Sequence, residues 1–412
     1  MVEGADEVRD LLNAAESAPP TDGVDAVAAG LAKAVGATEV SFLIADIVGG
    51  TLIRLARAGG GDEEPARGRP SADVVAMADT PAGAALRTQE VQTVPSQDGD
   101  AVWVFAPVTE RGEAVGVLEL LLQTDPDLDT IGDIAAAAHA LAYVVIADRR
   151  YTDLYEWGAR SRLLTLEAEI QRRLLPLSYT CEAGQFTLGG WLVPASSAGG
   201  DTFDYTLDRE LLHVSMTDAM GHGVDAALLA TLTVGSLRNS RRAGLSLSEQ
   251  AQRANDAVIE HANEDQFVTG LLMAVELATG QVHVVNAGHV LPVLVRDGAW
   301  SEVRLEPHLA FGIAPATSYG LNAFFLEPGD RLVLLTDGML ERKATQANVL
   351  GLLADVSALH PREAVQVLTA AVSTAVGADL EDDATVLVLD WYGVNDRKRD
   401  ANAGATTGRA SS

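Results

Sequence analysis

Four acidic positions stand at turns beside apolar, strand-like runs: Asp201 in GGDTFDY, Asp218 in SMTDAMGHG, Asp337 in LLTDGML and the pair Asp382-Asp383 in EDDATVLVL. Strand ends can aim side chains at one point while the sheet holds them rigid. Carboxylates gathered in this way repel one another, and their pKa values rise unless a cation neutralises them. An all-oxygen set suits hard Mg²⁺ or Mn²⁺, whereas softer metals want thiolate or several imidazoles. Two such ions, about 3.5–4 Å apart, lower the pKa of a bridging water and brace the attacking and leaving oxygens of a phosphate ester. The chemistry expected is hydrolysis of a phosphomonoester. Taken singly, each of these sites is weak evidence, because Asp-Gly after an apolar strand usually marks an ordinary turn.

The neighbouring glycines fit the same picture. Gly199-Gly200 before Asp201 and Gly221-His222-Gly223 after Asp218 let the backbone approach ions closely or take positive φ; the plainer alternative is two tight turns. The GHG segment also opens the helical run Val224 to Leu237, whose first amides favour anions. His222 remains open between proton donor, water holder and turn residue. Between Pro176 and Arg209 there is no Lys or Arg, the usual phosphate clamps, so bound metal must supply nearly all the charge that holds a phosphate.

The elements that position these residues are legible by period. From 185 the chain is strand-rich, with runs at 185–193, 202–207, 211–217, 267–277, 281–286, 291–296, 301–305, 323–327, 331–336 and 384–391. Helices are expected at 224–240, at 247–262 behind the capping box Ser246-Leu-Ser-Glu249, near 347–357, and at 361–376. Short turns between consecutive strands imply antiparallel sheets.

Upstream, helical spacing over 24–35 precedes β-rich runs at 38–45 and 51–58 and the acidic loop GGGDEEPARGRP. Short helices at 72–78 and 81–88 precede strands near 91–94, 101–108 and 114–122, which fits a small α+β domain with helices on one side of an antiparallel sheet. From Leu128 to Leu175 there is no Pro, and apolar residues recur every three or four positions. This run is either an amphipathic helix packed on its own domain or a signalling helix that pairs two protomers in parallel.

The whole chain has 412 residues and a formal net charge of −29, which argues against binding to nucleic acid or anionic membranes. The single cysteine, Cys181, excludes an internal disulfide and a thiolate zinc site. The acidic start MVEGADEVRD lacks the features of a secretory signal, and the apolar stretch from Ile134 to Ala147 falls short of the roughly 20 residues of a membrane span. A soluble cytoplasmic protein is expected. The end of the chain, NDRKRDANAGATTGRASS, has no apolar periodicity and reads as disordered.

In this order, GGDTFDY, TDAMGHGVDAA, FVTGLLMAVEL, NAGHVLPVLV, FGIAP, LVLLTDGMLE and DDATVLVL resemble the SpoIIE-like (RsbU-like) bacterial branch of the metal-dependent PPM serine/threonine protein phosphatases, over roughly residues 183–392. AEIQRRLLP resembles the segment that enters this domain in the family, and residues 20–150 resemble a GAF sensor domain more loosely.

The fold implied is α+β, with a GAF-like domain at 20–130, a helical linker and candidate coiled coil at 131–180, an αββα phosphatase sandwich at 183–392 and a disordered tail at 393–412. The resemblance implies a two-metal centre. Asp201, Asp218, Asp337 and Asp382 match its ligating carboxylates and Ala219 its backbone carbonyl ligand; either Asp382 or Asp383 serves in the DD pair, and Asp204 is a candidate for the outer shell. Thr269, Asn286 and His289 receive no chemical role. His139, the one histidine of the sensor half, reads as a packed or surface residue.

The function implied is removal of phosphate from Ser or Thr of a partner protein, a STAS-domain anti-sigma-factor antagonist by analogy, under control of the GAF-like domain. A homodimer through the linker helix is expected. The rivals are a catalytically silent docking module and a phosphatase of small metabolites.

Overall fold

The computed structural model describes the chain except residues 1–2, 47–48, 59–72, 161–163, 196–198, 264, 341, 377–379, 381, 395–398, 400, 402 and 412. The acidic loop GGGDEEPARGRP therefore lies outside the described residues. Two compact units divide the chain: 1–163 with 400–412, and 164–399.

The first unit contains α1 (Glu3–Ser17), α2 (Gly23–Val35), β1 (Glu39–Ala45), β2 (Thr51–Ala58), β3 (Val74–Ala76), α3 (Pro81–Thr88), β4 (Gln92–Pro95), β5 (Val102–Glu110), β6 (Glu113–Leu122), α4 (Leu128–Asp148) and α5 (Leu154–Gly158). Its strands form one antiparallel sheet in the order β3-β2-β1-β6-β5-β4. Val40, Phe42 and Ile44 of β1 face α1, α2 and α4 through Leu11, Val27, Leu31, Ile134, Leu141 and Val145. Leu43, on the opposite face, packs with Leu52, Val117 and the α3 residues Ala82 and Leu86. Helices thus cover both faces of the sheet, where the order of elements had led us to expect one.

The expected long helix from 128 to 175 is three separate helices. Among the described residues α4 is long and apolar enough to cross a membrane, yet Ile134, Ala137, Ala138, Leu141, Ala142 and Val145 are core residues of the first unit. Local caps break the run: Asp127 accepts from the Thr130 amide at the start of α4, and the Thr152 hydroxyl accepts from the Leu154 amide before α5. Thr165 then caps α6 (Leu166–Leu174), which belongs to the second unit.

The tail differs from expectation too. Ala405 and Ser411 are buried, residues 407–409 form a 3₁₀ turn, and the Gly112 amide donates to the Gly404 carbonyl at 3.1 Å. Gly404, at φ +97°, lies against the Thr109 carbonyl and His139, where a β-carbon would not fit. Local composition gives no sign of these contacts, because they are made with β5, the β5–β6 turn and α4, far away in sequence.

The second unit continues with β7 (Thr180–Glu182), β8 (Phe186–Val193), β9 (Thr202–Leu207), β10 (Leu211–Ala219), α7 (Val224–Arg242), α8 (Leu247–His261), β11 (Val268–Glu276), β12 (Gln281–Ala287), β13 (Val293–Arg296), β14 (Ala299–Glu302), β15 (Pro307–His308), β16 (Asn322–Phe325), β17 (Arg331–Leu335), α9 (Val349–Leu352), α10 (Pro361–Val376) and β18 (Ala384–Trp391). One sheet runs β15-β12-β11-β10-β9 with β16 beside β12, and the other runs β14-β13-β17-β18-β8-β7.

The period of two along each strand makes the layers. Val214 and Met216 of β10, Leu271 and Met273 of β11, Leu332 and Leu334 of β17, and Leu387 and Leu389 of β18 fill the space between the sheets. The alternate residues Leu272 and Ala274 pack on α7 and α8, while Val333, Leu335, Val386 and Val388 pack on α10. The layers are therefore helix, sheet, sheet, helix. Burial on both faces explains why strands such as β17 read as unbroken apolar runs.

Candidate active site

The inward rows of the two sheets end in polar residues at one end of the sandwich. Asp218 continues the row of Val214 and Met216, Asp201 precedes Phe203 in the inward row of β9, Thr336 follows Leu332 and Leu334, and Thr385 precedes Leu387. At the centre, Asp201 is only 2% exposed. Its Oδ2 accepts from the hydroxyls of Thr336 (2.7 Å) and Thr385 (2.6 Å), which tie β9 of one sheet to β17 and β18 of the other. Oδ1 receives neither hydroxyl.

Burial pushes the Asp201 carboxyl well above the usual carboxylate range, and the negative charges of Asp218 and Asp383 push it further; the two threonine hydrogen bonds oppose the shift without cancelling it. Asp383 is raised as well, first by burial, against hydrogen bonds that favour its charged form. Three carboxylates from three sequence motifs thus share one electrostatic neighbourhood. Among the described residues, no three acidic, histidine or cysteine side chains form a closed cage as they stand.

The backbone around these acids is tightly fitted. Gly200 passes so close to Ala219 that a β-carbon there would collide with it, and the Ala219 amide donates to the Gly200 carbonyl at 3.3 Å. A β-carbon on Gly199 would meet the Asp383 carboxylate. This first glycine pair therefore serves close approach, whereas Gly221 (φ +95°) and Gly223 (φ +78°) serve positive φ. Asp337, half-buried, starts a 3₁₀ turn directly after Thr336, and Gly338 lies against the Asp383 carbonyl.

The two acids of the DD pair have different work. Asp383 is 1% exposed and accepts from the amides of Ala195 (2.8 Å) and Gly199 (3.0 Å) and from the Gln171 side chain, so it clamps the loop before Asp201. Asp382 Oδ1 accepts the Asp383 amide at 2.9 Å. Asp204 corrects an expectation. Although it stands in the same motif as Asp201, its carboxylate is held by Arg238 through two 3.0 Å bonds and by Arg241 at 3.2 Å, and Arg238 also reaches the Leu174 carbonyl. Period two turns it outward with Thr202, so it fastens α6 and α7 rather than a metal shell. His222 is exposed in the turn before α7 and makes no hydrogen bond among the described residues.

Gln171 was not singled out from the sequence. It is buried on α6 and donates both to the Asp201 carbonyl (2.9 Å) and to the Asp383 carboxylate. Its signal was a polar residue sharing the inward face of an amphipathic helix with Leu174, three positions on. Thr336 and Thr385 were likewise legible only as threonines ending inward apolar rows. Replacing Gln171 by Leu is expected to loosen the Asp201–Asp383 pair and to lower turnover at this site about 10- to 100-fold, the usual effect of removing a group that orients ligands. A turnover rate equal to wild type in the folded variant would remove Gln171 from the site.

Two facing sheets with helices on both outer faces thus carry a carboxylate neighbourhood where their inward rows end. Residues 208–392 match the family described as Stage II sporulation protein E (SpoIIE). The match begins after Asp201, whose placement comes from the geometry. The chain is 22% identical over 233 residues to the phosphoserine phosphatase RsbU of Bacillus subtilis, covering 55% of this chain and 69% of RsbU. It is 23% identical over 237 residues to RsbP of the same organism, covering 54% of this chain and 57% of RsbP. Among solved structures it resembles the SiaA-PP2C domain of Pseudomonas aeruginosa, with a TM-score of 0.45, 22% identity and coverage of 54% and 93%.

Proposed function

We propose that the chain is a metal-dependent protein serine/threonine phosphatase. The observation that carries this reading is Asp201: a carboxylate buried at the sheet ends, pushed up by two other acids and braced by hydroxyls from the facing sheet. An all-oxygen set of mutually repelling acids fits hard Mn²⁺ or Mg²⁺. Asp201, Asp218, Asp337, Asp382 and the Ala219 carbonyl would hold two ions, with Asp383 and Gln171 orienting the loop that carries Asp201. When bound, such ions supply an activated water and the charge that steadies the phosphoryl oxygens. The protein's own part is to fix the carboxylates on rigid strand ends, so that no reorganisation is needed at the moment of reaction.

The substrate proposed is a phosphoserine or phosphothreonine protein, a STAS-domain anti-sigma-factor antagonist in a partner-switching pathway; the curated names of RsbU and RsbP as phosphoserine phosphatases support the class. The first unit is proposed as a GAF-type sensor that controls the phosphatase. Phosphate release from a phosphoserine protein, measured against added Mn²⁺ and after exhaustive chelation beside a panel of phosphorylated metabolites, tests the reading. Expected is release from the protein that rises from background with metal; full activity in chelator, or preference for a metabolite, would overturn it.

A further inference from the structure

His289 lies in the NAGH turn after β12, 7% exposed and outside every role given above. Three restraints fix it. The Asn286 side chain clamps both of its backbone groups, accepting the His289 amide at 2.7 Å and donating to its carbonyl at 3.0 Å. Gly288, at φ +72°, makes the turn that this clamp closes. The ring Nδ1 lies 2.8 Å from the Thr269 hydroxyl.

Thr269 is the direct cross-strand partner of Asp218 in the β10–β11 ladder. The other ring nitrogen, Nε2, is buried without a hydrogen-bond partner among the described residues, and the ring lies beside the Leu335 backbone of β17. Burial holds the ring neutral, with its pKa down at about 4. Leu335 is followed by Thr336, which holds Asp201, and then by Asp337.

We propose that His289 is a positioning residue: a strut across the two sheets that sets the Asp218 end of β10–β11 against the Thr336–Asp337 end of β17. The inference rests on the phosphatase reading for its catalytic readout, but the spacing of the carboxylates can be followed by metal binding alone. No part of the ring touches a reacting group; it acts through Thr269 on one side and Leu335 on the other.

The test compares wild type with His289→Ala, His289→Gln and Thr269→Val in the full chain. Measured are kcat and KM on a phosphoserine protein and, separately, the Mn²⁺ concentration that half-saturates the rise in Tm. Expected for His289→Ala and Thr269→Val is a loss of about 10- to 100-fold in kcat or in Mn²⁺ affinity with KM little changed, and partial recovery in His289→Gln, whose amide can both donate and accept. Lower Tm alone, with wild-type kcat and wild-type Mn²⁺ half-saturation in the folded variants, would overturn the proposal and leave His289 a packing residue. Should His289→Ala fail to fold, the milder Thr269→Val decides by the same readouts. A wild type that binds Mn²⁺ yet hydrolyses nothing would refute the phosphatase reading, while the Mn²⁺ shift in the variants would still decide the strut.

Discussion

Asp201→Asn is expected to cut phosphatase turnover by about a thousandfold or more, roughly 4 kcal/mol of transition-state stabilisation, and at the same time to make the protein more stable in chelator. The two effects have one origin. Burial and the charges of Asp218 and Asp383 disfavour the ionised carboxylate, and a carboxylate whose folded pKa is raised costs stability as pH climbs through that value. Asparagine keeps the shape and still accepts from Thr336 and Thr385, but carries no charge to be repelled. Thermal unfolding at neutral pH in chelator should therefore show a higher Tm for the variant, and added Mn²⁺ should raise its Tm less than it raises that of wild type. A variant that loses both activity and stability would mean that Asp201 is a structural acid.

Gly338→Ala is expected to be the most destabilising single methyl in the second unit. A β-carbon at this position would overlap the Asp383 carbonyl, a backbone atom that cannot swing aside, and the residue directly follows Asp337 in the 3₁₀ turn after β17. The cost should reach about 3 kcal/mol or more, which for a unit of this size lowers Tm by roughly 6–12 °C. Activity should fall with it, because relief of the clash must displace either Asp337 or the Asp382-Asp383 turn. The same chemical change at Gly235, on the exposed face of α7 with open space around it, should instead be neutral or stabilising by about 0.5–1 kcal/mol. Calorimetry of the two variants side by side checks the contrast; equal Tm values would show that the turn has slack that its geometry denies.

The second unit was legible almost element by element because its local signals agree with its layers. Strands β9, β17 and β18 and helix α10 fall within a residue of their expected bounds: runs buried on both faces stay apolar, and α8 begins at a true capping box. Asp201 and Asp218 stand where an inward row ends, and Asp337 and Asp382 at the turns beside such rows. Contacts without local spacing were not legible. Asp204 stands three residues from Asp201 and looks like its companion, yet Arg238 and Arg241, on the far end of another helix, decide its role. Gln171 meets Asp383 across 212 positions. The helix from 128 to 175 failed for a related reason, since periodicity shows that a face is apolar but not which surface it covers, and α4 covers its own sheet.

Anomalous scattering from crystals grown in Mn²⁺ tests the central claim most directly. The account predicts two ordered manganese peaks at the sheet ends, ligated by oxygens of Asp201, Asp218, Asp337 and Asp382 and by the Ala219 carbonyl, with Asp204 still on its arginines. Saturating manganese that leaves these carboxylates without an ion between them, or that orders only elsewhere on the chain, would contradict it.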